Sequence, residues 1–301
     1  MRFKLLLAIV LFFLPSCAFL DLKPETNDVC FNVSYGLHSQ GNTSKIKFVC
    51  LIPKTIENRQ TIFDINYSVT PSRIYDMDGN RYAEFIFTNP NKDIKIVIRV
   101  KAQLIRYDLV TAYGFHKEHE EDVSQKYLDS EKYLEKDNPA IMEVCKKIIT
   151  GPSELVTVGN VYHYVLKKME YTGYQEQELG AAQALKTGGG DCSEYADLFV
   201  TLCRAKNIPA RIAEGYCTKG VESYGHVWAE VYVKPYGWIP FDPTFADLKS
   251  ATFDRMQPIY VYLSHIRSDK ELANFHCFAY WYEGEPIEVE HSFKVISIFS
   301  N

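Results

Sequence analysis

The sequence predicts an α+β protein, with a β-rich N-terminal part followed by a segment that mixes helices and strands. Three observations carry this. Between Val29 and Leu109 short β-rich runs follow one another, separated by turn residues. From Asn138 to Pro209 the apolar spacing is that of helices. Strand-like runs then return from His226 to Ile296. The 21 Tyr and 18 Phe suit sheet-rich structure.

The chain opens with a segment that stands apart from the fold. Arg2 and Lys4 precede an apolar run, Leu5 to Leu14, which has the length of a signal core and is short for a membrane span. It ends in Leu14-Pro-Ser-Cys17, so residues 1–17 read as a lipoprotein-type signal whose Cys17 is lipidated and becomes the mature N-terminus. Pro15 stands where a small residue is usual. A secretory signal cut after Ala18 and a retained anchor are the alternatives. All three make the protein an exported one, and the first places it in a cell envelope with the membrane as a partner through Cys17.

Residues 28–110 read as a β-sandwich, with strands at Lys45–Ile52, Thr61–Tyr67, Arg81–Phe87 and Ile94–Lys101. Asp76-Met-Asp-Gly-Asn80 lacks the order of a calcium loop and reads as a hairpin turn. Residues 111–137 are charged and read as a linker. Its His116 and His119 lack helical ligand spacing, so a solvated segment explains them better than a metal site. Residues 138–301 form the second unit. Pro139 opens a helix, and Glu154–Met169 places Val158, Val161, Tyr162, Val165 and Leu166 on one face. Beyond Pro258, strands are expected at 259–263, 276–282 and 288–296.

Charge and cysteine content narrow the function classes. A net charge of -5 gives no electrostatic footprint for nucleic acid. The eight cysteines contain no CxxC pair, which argues against zinc-ribbon and thioredoxin-type motifs. Cys30 and Cys50 lie in successive strand-like runs and could face each other as a disulfide or stay free. No metal or cofactor is called for.

The chemistry concentrates between Gly188 and Thr244. Gly188-Gly-Gly190 permits a close backbone approach, Asp191 is placed to cap a helix, and Glu194 three residues on completes a capping box. The helix then carries Ala196, Phe199, Val200 and Cys203 on an apolar face and stops before Pro209. Cys192 thus sits in the first turn, where the helix dipole favours a thiolate. Asp191 works against this unless its carboxylate turns to backbone N–H groups. Cys203, facing the helix interior, reads as an inert buried thiol.

His226 opens an alternating strand and shares a face with Trp228, Glu230 and Tyr232. If the turn spans Val233 to Gly237, Tyr232 pairs with Trp238, Asp242 lies opposite Trp228, and Asp242 reaches His226 as a diagonal neighbour. A turn one residue shorter puts Asp242 on the wrong face. A cysteine nucleophile, a histidine base and a carboxylate that orients it would make Cys192, His226 and Asp242 an acyl-transfer triad. The Cys192 backbone N–H would be one oxyanion donor, with Tyr171, Tyr174 and Gln175 as candidates for the second. Trp228 and Trp238 read as braces.

The runs Gly190–Phe199, Arg204–Arg211, Gly215–Tyr216, His226–Tyr232 and Gly237–Thr244 resemble, in order and spacing, the transglutaminase-like cysteine enzymes of bacteria. The resemblance covers about residues 155–247, and Val227 stands where alanine is common. It implies a papain-like core, the cysteine helix packed on an antiparallel sheet that carries His226 and Asp242. The β-domain and trailing strands are the usual surroundings of such members. It also implies a thioester on cysteine, resolved by water in peptide or amide hydrolases and by an amine in protein cross-linkers. Hydrolysis of a peptide or protein substrate is favoured, because an exported protein meets water everywhere and no calcium-binding pattern is present. Transamidation is the alternative, and a binding or scaffold protein without turnover is the alternative of another class.

Overall fold

The computed structural model describes residues 24–39, 42–90, 93–112, 125–175, 177–219, 225–248 and 251–300. The signal-like residues 1–17 with Cys17, and the linker histidines His116 and His119, lie outside the described residues.

Six strands run in the N-terminal part: β1 (Thr26–Ser39), β2 (Thr43–Leu51), β3 (Gln60–Tyr67), β4 (Arg73–Met77), β5 (Asn80–Thr88) and β6 (Ile94–Ile105). In β1 every second residue is buried: Val29, Phe31, Val33, Tyr35 and Leu37 face inward. They meet Ile46, Phe48 and Cys50 of β2, Phe85 of β5 and Ile96, Ile98 and Val100 of β6 in one apolar core. The hairpin expected at residues 76–80 is present, with Asp78 and Gly79 in the left-handed region at the β4–β5 turn.

The same alternation decides the cysteine question. Cys50 is fully buried in the sandwich core, whereas Cys30 falls on the opposite, outward parity of β1. Both are free thiols.

The second segment opens with α1 (Pro139–Lys147), capped by Asn138, and α2 (Glu154–Lys168), capped by Ser153. The expected α2 face is buried at Val158, Val161, Tyr162 and Val165. Next come α3 (Ala181–Thr187) and α4 (Cys192–Ala205). Residues Ser193 to Arg204 of α4 are all buried, polar ones included, so α4 is a central helix and not a surface one. It packs on a sheet of β7 (Ala210–Cys217), β8 (His226–Val233), β9 (Gly237–Phe241) and β10 (Tyr260–Ser264) in the order β9-β8-β7-β10, all antiparallel. The short helix α5 (Pro243–Asp247) follows β9. Part of the expected linker joins this core, since Leu134 is fully buried in it.

The last two strands, β11 (Phe278–Gly284) and β12 (Ile287–Ser300), return to the sandwich. β12 pairs along β1, giving one sheet β12-β1-β6-β3, and β11 pairs with β2, giving β11-β2-β5-β4. The trailing strands therefore complete the N-terminal sheets and do not extend the sheet of the helical segment. The reason is pairing: without them β1 and β2 would each be an unprotected edge.

The third sheet lies against the sandwich. Along β10, Tyr260 and Tyr262 point to the helical core while Val261 and Leu263 point into the sandwich core. Gln60, fully buried, fastens the two by accepting from the Tyr262 N–H (2.8 Å) and donating to the Tyr262 carbonyl (2.9 Å). Arg59 crosses as well, from β3's edge to buried Glu230 (3.2 Å) and the Trp238 carbonyl (2.6 Å).

Candidate active site

Cys192 is the first residue of α4, half-buried against the helical core. The glycine run sets its position. Gly188 ends α3 in the left-handed region. Gly189 and Gly190 then pair in parallel with Glu170 and Tyr171. At Gly190 a Cβ would fall 2.4 Å from the Glu194 Cβ, so a side chain there would displace the capping residue. The capping box is formed as the spacing predicts: Asp191 accepts from the Ser193 N–H (2.8 Å), and Glu194 accepts from the Asp191 N–H (3.0 Å).

Both carboxylates also tie down the loop in front of the thiol. Asp191 Oδ2 accepts from the Gln175 N–H (2.9 Å) and Glu194 Oε1 from the Leu179 N–H (3.1 Å). Asp191 therefore spends its charge on backbone N–H groups, the condition under which it does not oppose a thiolate.

His226 and Asp242 come together through the β8–β9 register. Tyr232 pairs with Trp238 and Ala229 with Phe241, as the longer turn requires, and Asp242 follows directly on the last paired residue. The His226 Nε2 lies 2.7 Å from Asp242 Oδ2. Asp242 is fully buried and caps α5, its Oδ1 accepting from the Phe245 N–H (3.0 Å). Tyr260 donates its hydroxyl to Oδ2 (2.8 Å). Burial and the Asp242 charge raise this phenol well above its ordinary value, so it stays a donor. The His226 ring is stacked on Phe245 at 4.5 Å and flanked by Trp228 at 5.9 Å.

The Cys192 thiol acts on the same ring, adding to the rise that Asp242 produces in His226. Burial opposes protonation of the ring. The Asp242 charge and hydrogen bond, with Cys192, outweigh it and lift His226 from 6.5 to about 10. Thiol and carboxylate thus act on one imidazole, and both favour its protonated form.

Of the three candidates for a second oxyanion donor, the structure separates them. The Gln175 N–H is taken by Asp191 and its side-chain amide donates to the Gly173 carbonyl (3.2 Å). Tyr174 is 72% exposed. Tyr171 lies within the field of Cys192, and burial together with the charges of Cys192 and Asp191 raises its phenol, which keeps it a donor. Trp228 braces the ring as expected. Trp238 sits at the turn end of the hairpin, stacked on Arg211 at 3.9 Å.

Sequence reasoning missed Tyr260, which holds Asp242, and the ion-pair network that joins Asp197 of the cysteine helix to Arg267, Glu178 and His276. Asp197 alone carried a signal, a charge amid the apolar α4 pattern. It is fully buried and held by Arg267.

Comparison with known proteins bears on the fold that carries these residues. The model of the transglutaminase-like superfamily matches residues 144–243, so this third of the chain is a transglutaminase-like core. A crystal structure of a candidate cysteine protease from Cytophaga hutchinsonii superposes with a TM-score of 0.63 at 18% identity, covering 92% of each chain, and shows that the fold is shared. Among curated proteins, the uncharacterized protein YebA of Bacillus subtilis is 30% identical over 82 residues, 23% of this chain and 11% of its own. The peptide-N(4)-(N-acetyl-beta-glucosaminyl)asparagine amidase of Drosophila melanogaster is 38% identical over 64 residues, 21% of this chain and 9% of its own. The chain spans about a tenth of the length of these curated relatives.

Proposed function

We propose that this protein is a cysteine-dependent hydrolase of peptide or amide bonds, working through a thioester on Cys192. One observation carries the reading: Nε2 of a buried His226, a ring on which the Cys192 thiol also acts, lies 2.7 Å from buried Asp242. The amidase name of the fly relative supports the bond class over the matched segment.

In this reading Cys192 Sγ attacks the acyl carbonyl while its proton passes to His226. Asp242 fixes the ring so that the Nδ1 edge meets sulfur, and stabilises the imidazolium. The tetrahedral oxyanion takes the Cys192 N–H, which has no intrahelical partner at the first helical position, and the Tyr171 hydroxyl. As the C–N bond breaks, His226 returns its proton to the leaving amine. Water then attacks the thioester with His226 as base, releasing the acid and the free thiol. The lipid tether read at Cys17 belongs to the same reading and rests on the sequence alone.

The test is a peptide-pool digestion in heavy-oxygen water with methylamine present, read by mass spectrometry. Hydrolysis puts heavy oxygen into new carboxyl groups, and Cys192→Ala abolishes it. Methylamide products instead would make the protein a transamidase. No product from wild type, with an inert Cys192, would make it a binding protein.

A further inference from the structure

The two halves of the triad stand on different elements. Cys192 opens α4, whereas His226 and Asp242 belong to β8 and the β9–α5 junction. Whatever sets the gap between α4 and α5 therefore sets how the thiol and the imidazole meet. A side-chain hydrogen bond spans that gap: the Tyr195 hydroxyl donates to Asp247 Oδ2 at 2.5 Å.

Both of its ends are close to the chemistry. Tyr195 follows Cys192 by three residues on one helix, so the two side chains share a face. Its ring is fully buried. Asp247 is the last residue of α5, a helix of five residues that starts at its cap Asp242. The same helix carries Phe245, which is stacked on the His226 ring at 4.5 Å. A helix this short has no stability of its own, so its orientation comes from what it is fastened to. At the N-terminal end that is the Asp242 cap. At the other end, where the chain turns half-buried and then exposed, it is Tyr195.

A carboxylate at the C-terminal end of a helix faces unpaired carbonyls, which disfavour it. The phenol compensates by donating to it, and 2.5 Å is the length of a charge-assisted bond. Burial and Asp247 both raise the Tyr195 phenol, so it keeps its proton and stays the donor. Apolar contact alone is non-directional and lets a short helix slide or tilt on the core. A hydrogen bond fixes distance and angle together.

We infer that Tyr195 is a positioning residue: its hydroxyl, through Asp247, holds α5, and with it Asp242 and Phe245, at the separation from α4 that lets His226 act on Cys192. This rests on the reading of Cys192 as nucleophile.

Tyr195→Phe removes one oxygen atom and keeps the buried ring. On the whole chain, iodoacetamide labelling of Cys192 is followed against pH, and the acyl burst with p-nitrophenyl acetate against time, with circular dichroism to check the fold. Losing a hydrogen bond to a charged group is worth about tenfold in an equilibrium. The labelling midpoint should therefore move to alkaline pH by roughly one unit, and the burst should slow about tenfold. A hydroxyl that only stabilised the fold would leave both unchanged in the folded variant. Asp247→Ala should reproduce the change and serves if Tyr195→Phe does not fold. The two together should be no worse than either alone, because each removes the same bond. Asp247→Asn drops the charge but keeps an acceptor oxygen, so it should lie nearer wild type than Asp247→Ala. A folded Tyr195→Phe with the wild-type midpoint and burst, losses that add in the double variant, or an Asp247→Asn as impaired as Asp247→Ala overturns the inference. Labelling of wild type as an ordinary thiol, insensitive to His226→Gln, overturns the nucleophile reading, and the inference falls with it.

Discussion

Replacing Asp242 by asparagine removes the charge behind His226 with the least change of shape. Asp242 accepts three hydrogen bonds, from His226 and Tyr260 on Oδ2 and from the Phe245 N–H on Oδ1. An amide can satisfy one side only. If its oxygen stays on Phe245, the NH2 faces His226 Nε2, which must then accept, and the ring proton moves to the nitrogen facing sulfur. That tautomer cannot take the thiol proton. In wild type the carboxylate is chiefly what lifts His226 from 6.5 to about 10 against burial. At about 1.4 kcal/mol per tenfold, its loss removes on the order of 4 kcal/mol of support for the imidazolium. Labelling of Cys192 by iodoacetamide at mildly acidic pH should then fall by about a thousandfold. The assay is quenched-flow alkylation with peptide mass mapping, with circular dichroism to check the fold. A rate within about threefold of wild type in a folded variant would refute the role of Asp242, since such a change is worth under about 1 kcal/mol.

Three further outcomes are expected. Tyr171→Phe should cut peptide turnover by about a hundredfold while leaving iodoacetamide labelling unchanged, because an oxyanion donor acts on the tetrahedral intermediate and not on the thiol; equal loss in both assays would contradict that role. Gly215→Ala places a Cβ 1.8 Å from the Val261 carbonyl oxygen, a backbone atom that cannot swing aside, so β7 and β10 must part. A loss of at least about 3 kcal/mol is expected in denaturant melts, and a variant melting with wild type would contradict the β7–β10 pairing. Because the folded His226 binds its proton up to about pH 10 and an unfolded histidine only to about 6.5, its contribution to stability is full below the lower value. It is lost as pH rises through the upper one, at up to about 1.4 kcal/mol per pH unit between. His226→Gln should flatten that part of the stability profile, and an unchanged slope would count against the raised value.

What the sequence made legible was local. The capping box of Asp191 and Glu194 follows from three-residue spacing, and the glycines before it from the room they leave. The meeting of His226 with Asp242 depended on a single hairpin register, which alternation and turn length could specify. Strands β2, β3, β5 and most of β6 followed from alternation and β-rich runs as well, whereas β1 and β4 were not among the expected strands. What could not be read was non-local. Nothing in β11 and β12 says that their partners are β2 and β1, more than 200 residues earlier in the chain, because pairing leaves no mark on either strand alone. Tyr260 looked like any strand tyrosine until the fold set its hydroxyl on Asp242. His276, Glu178 and Glu214 come from a loop, a segment before a helix and a strand, and only the closed fold puts them on one line.

The central claim, that Cys192 is an acyl-transfer nucleophile driven by His226, is tested most directly by trapping the acyl group itself. Wild type, Cys192→Ala and His226→Gln would be mixed with p-nitrophenyl acetate, with nitrophenolate release followed by absorbance and the protein by intact and peptide mass spectrometry. The account predicts a burst of about one equivalent in wild type, an acetyl group mapped to Cys192 and removed by hydroxylamine, and a burst that is absent in Cys192→Ala and greatly slowed in His226→Gln. Acetylation spread over surface lysines, or an adduct on Cys192 that forms equally fast without His226, would contradict it.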